Sequence, residues 1–126
     1  MLRRNALIVI TAIALMPLAF KRAYAADVDV CSIVANPTNF DHQTIVLEGT
    51  AAAVRETTSR KGNDYTTFKL QGPSGCGAVN IFAWGHLALA SGDHVCVKGM
   101  FETEHHQGGY KFYNEVEAAK VTPLCQ

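Results

Sequence analysis

Apolar and polar residues alternate along the chain from about residue 44 onward, which is the two-residue period of a β-strand rather than the period of a helix. The alternation predicts five strands, over residues 44–56, 65–71, 76–84, 94–104 and 110–121. Segments rich in Gly, Asn, Asp and Pro separate the strands and are typical of turns. In the middle three strands one face collects the apolar residues Phe68, Leu70, Val79, Ile81, Val95, Val97 and Phe101. The pattern therefore predicts a small all-β domain.

Irregularities in the pattern indicate how these strands are arranged. The first strand is long and carries Gly49 near its middle, where a glycine favours a bulge or a tight bend. A break at residues 85–90 leaves room for one helical turn, and residues 32–37 predict another, with Ser32 as its cap. This layout suits a five-stranded Greek-key barrel with a short helix, in which the first strand bends to serve two sheets.

Residues 1–25 have the composition of a secretory signal peptide. A start with two arginines precedes an uncharged apolar run of 15 residues, and residues 23–25 (Ala-Tyr-Ala) fit the rule for cleavage. Lys21 and Arg22 just after the apolar run are atypical of such leaders, so an uncleaved anchor stays the alternative. The run is nevertheless shorter than the roughly 20 apolar residues of a spanning helix. We expect a cut after residue 25 and one domain over residues 26–126.

Removing the leader changes the charge of the protein. The whole chain has a formal net charge of zero, whereas the chain without its leader keeps 7 Lys and Arg against 11 Asp and Glu, a net charge of −4. Nucleic-acid-binding proteins usually carry a basic patch. The net negative charge counts against general nucleic-acid binding but does not exclude a local basic patch.

Four cysteines follow the predicted cut, and an even number in a small exported chain indicates disulfides. The absence of a CxxC motif argues against a redox pair or a zinc knuckle. Because the termini of a domain often lie close together, we expect Cys31 to pair with Cys125. Cys76 then pairs with Cys96, or both stay reduced.

Three segments resemble the OB-fold, anticodon-binding-like superfamily. They are residues 44–50 (TIVLEGT), 80–84 (NIFAW) and 91–99 (SGDHVCVKG). They resemble a strand that ends in Gly, a third strand with a hydrophobic-x-Trp pattern, and a fourth strand of the form Gly-Asp-x-Val-x-Val-x-Gly. The resemblance covers roughly residues 32–121. It implies binding of an extended polymer on the second and third strands, between the loops after the first and fourth strands.

Carried over by position, the resemblance implies a set of ligand-binding residues on one face and two loops. They are Tyr65, Lys69, Phe82 and Trp84 on the face, Arg60 and Lys61 in the first loop, and Tyr110 with His105 and His106 in the last loop. The aromatic rings are suited to stacking on bases. The alternative is that Phe82 and Trp84 pack beneath the connector at residues 85–90 as a small core of their own.

His105 and His106 are the most unusual local feature, because neighbouring histidines in an exposed turn can bind copper, zinc or nickel. A structural metal site needs three or four ligands, and the direction of His94 depends on a register that the sequence does not define. The segment from His106 to Tyr110 is also similar to the His-x-x-x-Tyr motif of the periplasmic haem chaperone of cytochrome c maturation, another OB barrel. In that family the motif follows the last strand, whereas here a full strand follows it.

The sequence carries no nucleophile elbow, phosphate-binding loop or HExxH motif. Glu102 with Glu104, and Glu115 with Glu117, are spaced so that each pair shares one strand face, which is typical of a solvated surface. We therefore predict a non-catalytic OB-fold binding module without a cofactor, monomeric, and periplasmic or secreted. Its partner would be a nucleic acid, an oligosaccharide or an envelope protein. Metal or haem handling through His105 and His106 is the alternative.

Overall fold

The structure, a computed structural model, describes residues 26–125, so the predicted leader lies outside the described residues. The elements in chain order are β1 (Ala26–Asp27), α1 (Val30–Ala35), a 3-10 turn (Pro37–Phe40), β2 (Gln43–Thr58), β3 (Asp64–Gln71), a second 3-10 turn (Pro73–Gly75), β4 (Ala78–Trp84), β5 (His94–Gln107) and β6 (Tyr110–Thr122). Strands β2 to β6 correspond to the five predicted strands. Within residues 26–125 no helix has the length and apolar character needed to cross a membrane.

The five long strands close into a barrel. The first half of β2 is antiparallel to β5, the second half is antiparallel to β3, and the change of partner falls at Thr50. Strand β4 pairs antiparallel with β3 and parallel with β6, and β6 pairs antiparallel with β5. The order around the barrel is therefore β2-β3-β4-β6-β5, returning to β2. This is the OB-type Greek-key barrel that the sequence predicts.

Two glycines allow the strands to approach closely enough for closure. A Cβ atom at Gly49 would collide with the carbonyl oxygen of Gln71, and one at Gly99 would collide with the carbonyl oxygen of Glu117. Both obstacles are backbone atoms, which cannot rotate away as a side chain can. Strand β2 changes partner one residue after Gly49, and its irregularity lies further on, between Ala52 and Arg55, where the pairing with β3 shifts register and Ala53 has a φ of 53°.

The inward faces of the strands form one hydrophobic core. All seven apolar residues that the alternation places on one face are buried. The core consists of Val30, Ile33, Ile45, Leu47, Ala51, Phe68, Leu70, Val79, Ile81, Val95, Val97, Phe101 and Val116. These residues fill the interior of the barrel.

Helix α1 packs against the barrel beside the β3–β4 turn. Its residues Val30 and Ile33 are fully buried. The carboxylate of Asp29 caps the helix by accepting a hydrogen bond from the N–H of Cys31 at 3.1 Å. The expected cap at Ser32 is wrong, because the helix begins two residues before it.

The connector at residues 85–90 contains no helical turn, which corrects a second expectation. Gly85 and Ala88 have φ values of 92° and 54°, and such left-handed residues interrupt a right-handed helix. The connector is held instead by the buried hydroxyl of Thr66. This hydroxyl donates to the carbonyl of Gly85 at 2.7 Å and accepts from the N–H of Leu87 at 3.2 Å.

The disulfides join Cys31 to Cys76 and Cys96 to Cys125. The expected pairing of Cys31 with Cys125 and of Cys76 with Cys96 is therefore wrong. Helix α1 lies beside the β3–β4 turn, which brings the Cα atoms of Cys31 and Cys76 to 5.5 Å. At the other end of the chain β6 runs beside β5, with Thr122 opposite Cys96, so the next residues carry Cys125 to that cysteine. Each terminal segment is thus attached to its own side of the barrel.

Replacing Gly99 with Ala tests whether close backbone approach is needed for closure. The added methyl group would collide with the backbone of Glu117, and such overpacking typically costs about 1–3 kcal/mol. Denaturant unfolding should show this loss for Gly99→Ala, while Lys98→Ala, at the neighbouring exposed position, should change stability by less than about 0.5 kcal/mol. Equal stability of the two variants would contradict the role of Gly99.

Peptide mapping of the non-reduced exported protein tests both the disulfides and the predicted cut. Trypsin alone leaves Cys76 and Cys96 in one peptide, so a chymotryptic cut after Trp84 is needed to separate them. The map should link Cys31 to Cys76 and Cys96 to Cys125, and the first peptide should begin at the residue after the predicted cut. A peptide that joins Cys31 to Cys125 would contradict the structure. The two disulfides have sequence separations of 45 and 29 residues, and closing loops of this size stabilises the folded protein by roughly 3–4 kcal/mol for each bond.

Candidate ligand-binding site

A groove of about 430 Å³ lies on the outside of the barrel, over β3, β4 and the β5–β6 hairpin. Five aromatic side chains and one carboxylate dominate its lining. They are Tyr65, Phe82, Trp84, Tyr110, Phe112 and Glu115. Four of these rings belong to the residues that the resemblance implies for ligand binding, and the fifth, that of Phe112, does not.

Three rings on β3 and β4 form the first aromatic cluster. Strand alternation places Phe82 and Trp84 on the same outer face, and the register places Tyr65 opposite Trp84. The rings of Tyr65 and Phe82 stack with centroids 5.3 Å apart, and Trp84 meets Phe82 edge to face at 4.9 Å. Trp84 is nevertheless 49% exposed. The rings therefore form an accessible platform rather than a core beneath the connector.

Two rings on β6 form the second aromatic cluster. A tight turn at Gly108 and Gly109, with φ values of 58° and 84°, joins β5 to β6. Such a two-residue turn is typical of a regular hairpin. Tyr110 and Phe112 follow the turn on one face, with centroids 6.4 Å apart. Tyr110 is 71% exposed, so this cluster also keeps rings accessible to a ligand.

Glu115 enters the groove because the strand is irregular beside it. Regular alternation would place Phe112 and Glu115, three residues apart, on opposite faces. Asn114 has a φ of 48°, and this left-handed residue turns both side chains toward the same groove. The expectation that Glu115 shares a solvated face with Glu117 is wrong, because Glu115 is 9% exposed.

The Glu115 carboxylate is an unusual group for such a position. Among residues 26–125 it makes no hydrogen bond and no ion pair, and a buried ionised group without a partner is costly. Burial raises the pKa of Glu115, the charge of His105 lowers this pKa, and the charges of Glu117 and Glu102 raise it further. The net effect is a pKa above the ordinary value for glutamate.

Basic residues surround the groove unevenly. Arg55, which the sequence analysis missed, lines it from β2. Arg60 and Lys61 are exposed in the β2–β3 loop and lie outside the lining. Lys69 also lies outside it, and its ammonium donates to the side-chain oxygen of Asn80 at 2.9 Å. The cations implied by the resemblance are therefore peripheral to the aromatic clusters.

The expected exposed turn at His105 and His106 is wrong, since β5 continues through both residues. Neighbouring strand residues point to opposite faces. His105 lies 2.8 Å from a carboxylate oxygen of Glu102, and His106 lies 3.5 Å from one of Glu104. In the described part of the chain no group of three His, Cys, Asp or Glu side chains is arranged to hold a metal ion. The two adjacent imidazoles lie on opposite faces of β5.

No protein-family model matches the chain, and no curated protein matches it. Among solved structures, the chain is similar to a Leishmania major Friedlin protein provisionally assigned as an aspartyl-tRNA synthetase. The TM-score is 0.53 at 13% identity, over 88% of this chain and 22% of that protein. The chain thus spans about a fifth of that protein's length, and a likeness at this identity supports the fold alone.

A second solved structure is the second OB-fold domain of replication protein A from Methanococcus maripaludis. It matches with a TM-score of 0.40 at 15% identity, over 64% of this chain and 83% of that one. The strand order and the first comparison together define the chain as a small OB-type barrel.

Replacing Glu115 with Gln should stabilise the protein at neutral pH. Because the folded pKa of Glu115 is raised, its contribution to stability is fully present below the unfolded pKa of about 4 and is lost as pH rises through the folded pKa. The advantage of Glu115→Gln should therefore be present at pH 7 and vanish below about pH 4. Denaturant unfolding at both pH values measures it.

Glu48→Gln is the matched control for this comparison. Glu48 is exposed and lies 2.7 Å from His94, away from the groove. This variant should show no gain in stability at pH 7. If Glu115→Gln is no more stable than the wild type at pH 7, the account of a buried, unpaired carboxylate is contradicted.

Proposed function

We propose that this chain is an exported, non-catalytic OB-fold module that binds its ligand in the aromatic groove by stacking and apolar contact. The observation that carries this proposal is the pair of aromatic clusters, on β3–β4 and on the β5–β6 hairpin, that flank one groove. OB barrels hold their ligands on this face and between the flanking loops. Stacking on aromatic rings also tolerates many ligands, because it needs only a flat or apolar surface.

The charges around the groove favour a ligand of low negative charge. Glu115 lies within the groove, and Glu102 and Glu117 act on it electrostatically. A nucleic acid that crossed the groove would bring its phosphates toward these carboxylates. Positive charge is offered at the edge formed by Arg55 and by Arg60 and Lys61 of the β2–β3 loop. An oligosaccharide or a segment of an envelope protein suits the groove better than a nucleic acid does.

Export is supported by the leader and by the cysteines. The composition of residues 1–25 fits a signal peptide. The two disulfides suit the periplasm or the extracellular space, where such bonds persist. We propose that the protein acts there as a monomer, with residues 26–126 as the active module.

Trp84 is the single tryptophan of the chain, so its fluorescence reports directly on the groove. A titration with a single-stranded oligonucleotide, a neutral oligosaccharide and a peptide should change this fluorescence for the ligand class that binds. Trp84→Ala should weaken that binding by about 1–3 kcal/mol, because it removes a stacking surface. Calorimetry measures the loss without relying on fluorescence.

Tyr113→Ala is the control for loss of an exposed ring. Tyr113 is exposed on β6 but lies outside the groove, so this variant should bind as the wild type does. Binding that falls steeply with salt and is unaffected by Trp84→Ala would indicate phosphate contacts and contradict the proposed mode.

A further inference from the structure

We propose that the groove recognises an organic cation, held between the aromatic rings and the carboxylate of Glu115. This inference rests on the proposed binding function of the same groove and names the ligand chemistry. Its cationic group would be an ammonium, a guanidinium or a quaternary ammonium. Three observations support it: the buried carboxylate, the aromatic rings, and the contacts that the surrounding basic side chains make elsewhere.

The first observation is the unsatisfied carboxylate. Glu115 is more than nine-tenths buried, lines the groove, and has no hydrogen bond or ion pair among residues 26–125. Folding removes water from this group without replacing it, which is costly for an ionised carboxylate. A cation that enters the groove would supply the missing partner in a place where water does not screen the attraction strongly.

The second observation is the set of rings that share the groove with this carboxylate. Tyr65, Phe82 and Trp84 line it from β3 and β4, and Tyr110 and Phe112 line it from β6, the strand of Glu115. The face of an aromatic ring attracts a cation, most strongly for tryptophan, and recognition of quaternary ammonium groups commonly uses such rings. The rings and the carboxylate therefore favour the same kind of ligand, whereas an anion would be repelled by both.

The basic side chains near the groove make other contacts or only line it. Arg55 lines the groove from β2. Lys111 pairs with Glu104 at 3.5 Å and lies over the ring of Tyr113. His105 contacts Glu102 and affects Glu115 through its charge. Among residues 26–125 none of these side chains makes a hydrogen bond or an ion pair with the Glu115 carboxylate.

A neutral ligand would interact less favourably with Glu115 and the aromatic rings than a cation would. A hydroxyl can donate a hydrogen bond to Glu115 but gains no charge attraction from the ring faces. The distinction between an uncharged and a charged ligand of equal shape is therefore the critical test. Choline and 3,3-dimethyl-1-butanol provide that pair, since the second replaces the quaternary nitrogen with carbon.

The experiment measures binding of both probes to the mature protein at pH 7.5 through Trp84 fluorescence and NMR shifts of the groove residues. Choline should bind at least tenfold more tightly than its uncharged isostere. Glu115→Gln should lower this ratio to the part that the ring faces supply, whereas Glu48→Gln should leave it unchanged. N-acetyl-lysine amide and arginine amide, added in separate titrations, distinguish a protein side chain from a quaternary headgroup as the source of the cation.

The outcomes separate this inference from the proposed function. Equal binding of choline and its isostere, or a preference that Glu115→Gln does not reduce, overturns the cation inference and leaves groove binding intact. A response to an oligosaccharide or oligonucleotide but to none of the cations has the same consequence. If neither the cations nor the polymers affect Trp84 and the groove residues, both proposals are overturned.

Discussion

Closure of the barrel depends on close backbone approach at two glycines, and the rest of the structure follows from this constraint. A side chain at Gly49 on β2 would collide with the backbone carbonyl of Gln71 on β3, and one at Gly99 on β5 would collide with that of Glu117 on β6. Once β2 pairs with both β3 and β5, the apolar faces turn inward and fill the interior. The parallel pairing of β4 with β6 then brings the Phe82 strand beside the Glu115 strand on the outer surface.

The outer surface combines features that do not serve folding. Apolar rings on a surface and a buried carboxylate without a partner both oppose stability, and strained or unsatisfied groups tend to collect at functional sites. Here they occur in the same groove. A ligand that covers the rings and neutralises Glu115 would offset both costs, which gives a physical reason for the groove to bind.

Most of the fold can be predicted from the regular alternation of apolar and polar residues along the chain. It predicts the five strands, the buried face and, through the spacing of Phe82 and Trp84, the aromatic platform. It fails where the backbone departs from regularity or where distant segments meet. Alternation places Glu115 on a solvated face, because it does not take account of the left-handed backbone at Asn114. The disulfide pairs depend on where α1 and the segment after β6 pack, which alternation does not encode.

The central claim is that Glu115 is a buried, unpaired carboxylate inside a ligand-binding groove. NMR titration of the Glu115 side-chain carboxyl carbon, in the free protein and with saturating choline, tests it most directly. The account predicts a pKa above the ordinary glutamate value in the free protein and a fall in that pKa when the cation is bound. A pKa at or below the ordinary value in the free protein, unchanged by choline, would contradict it.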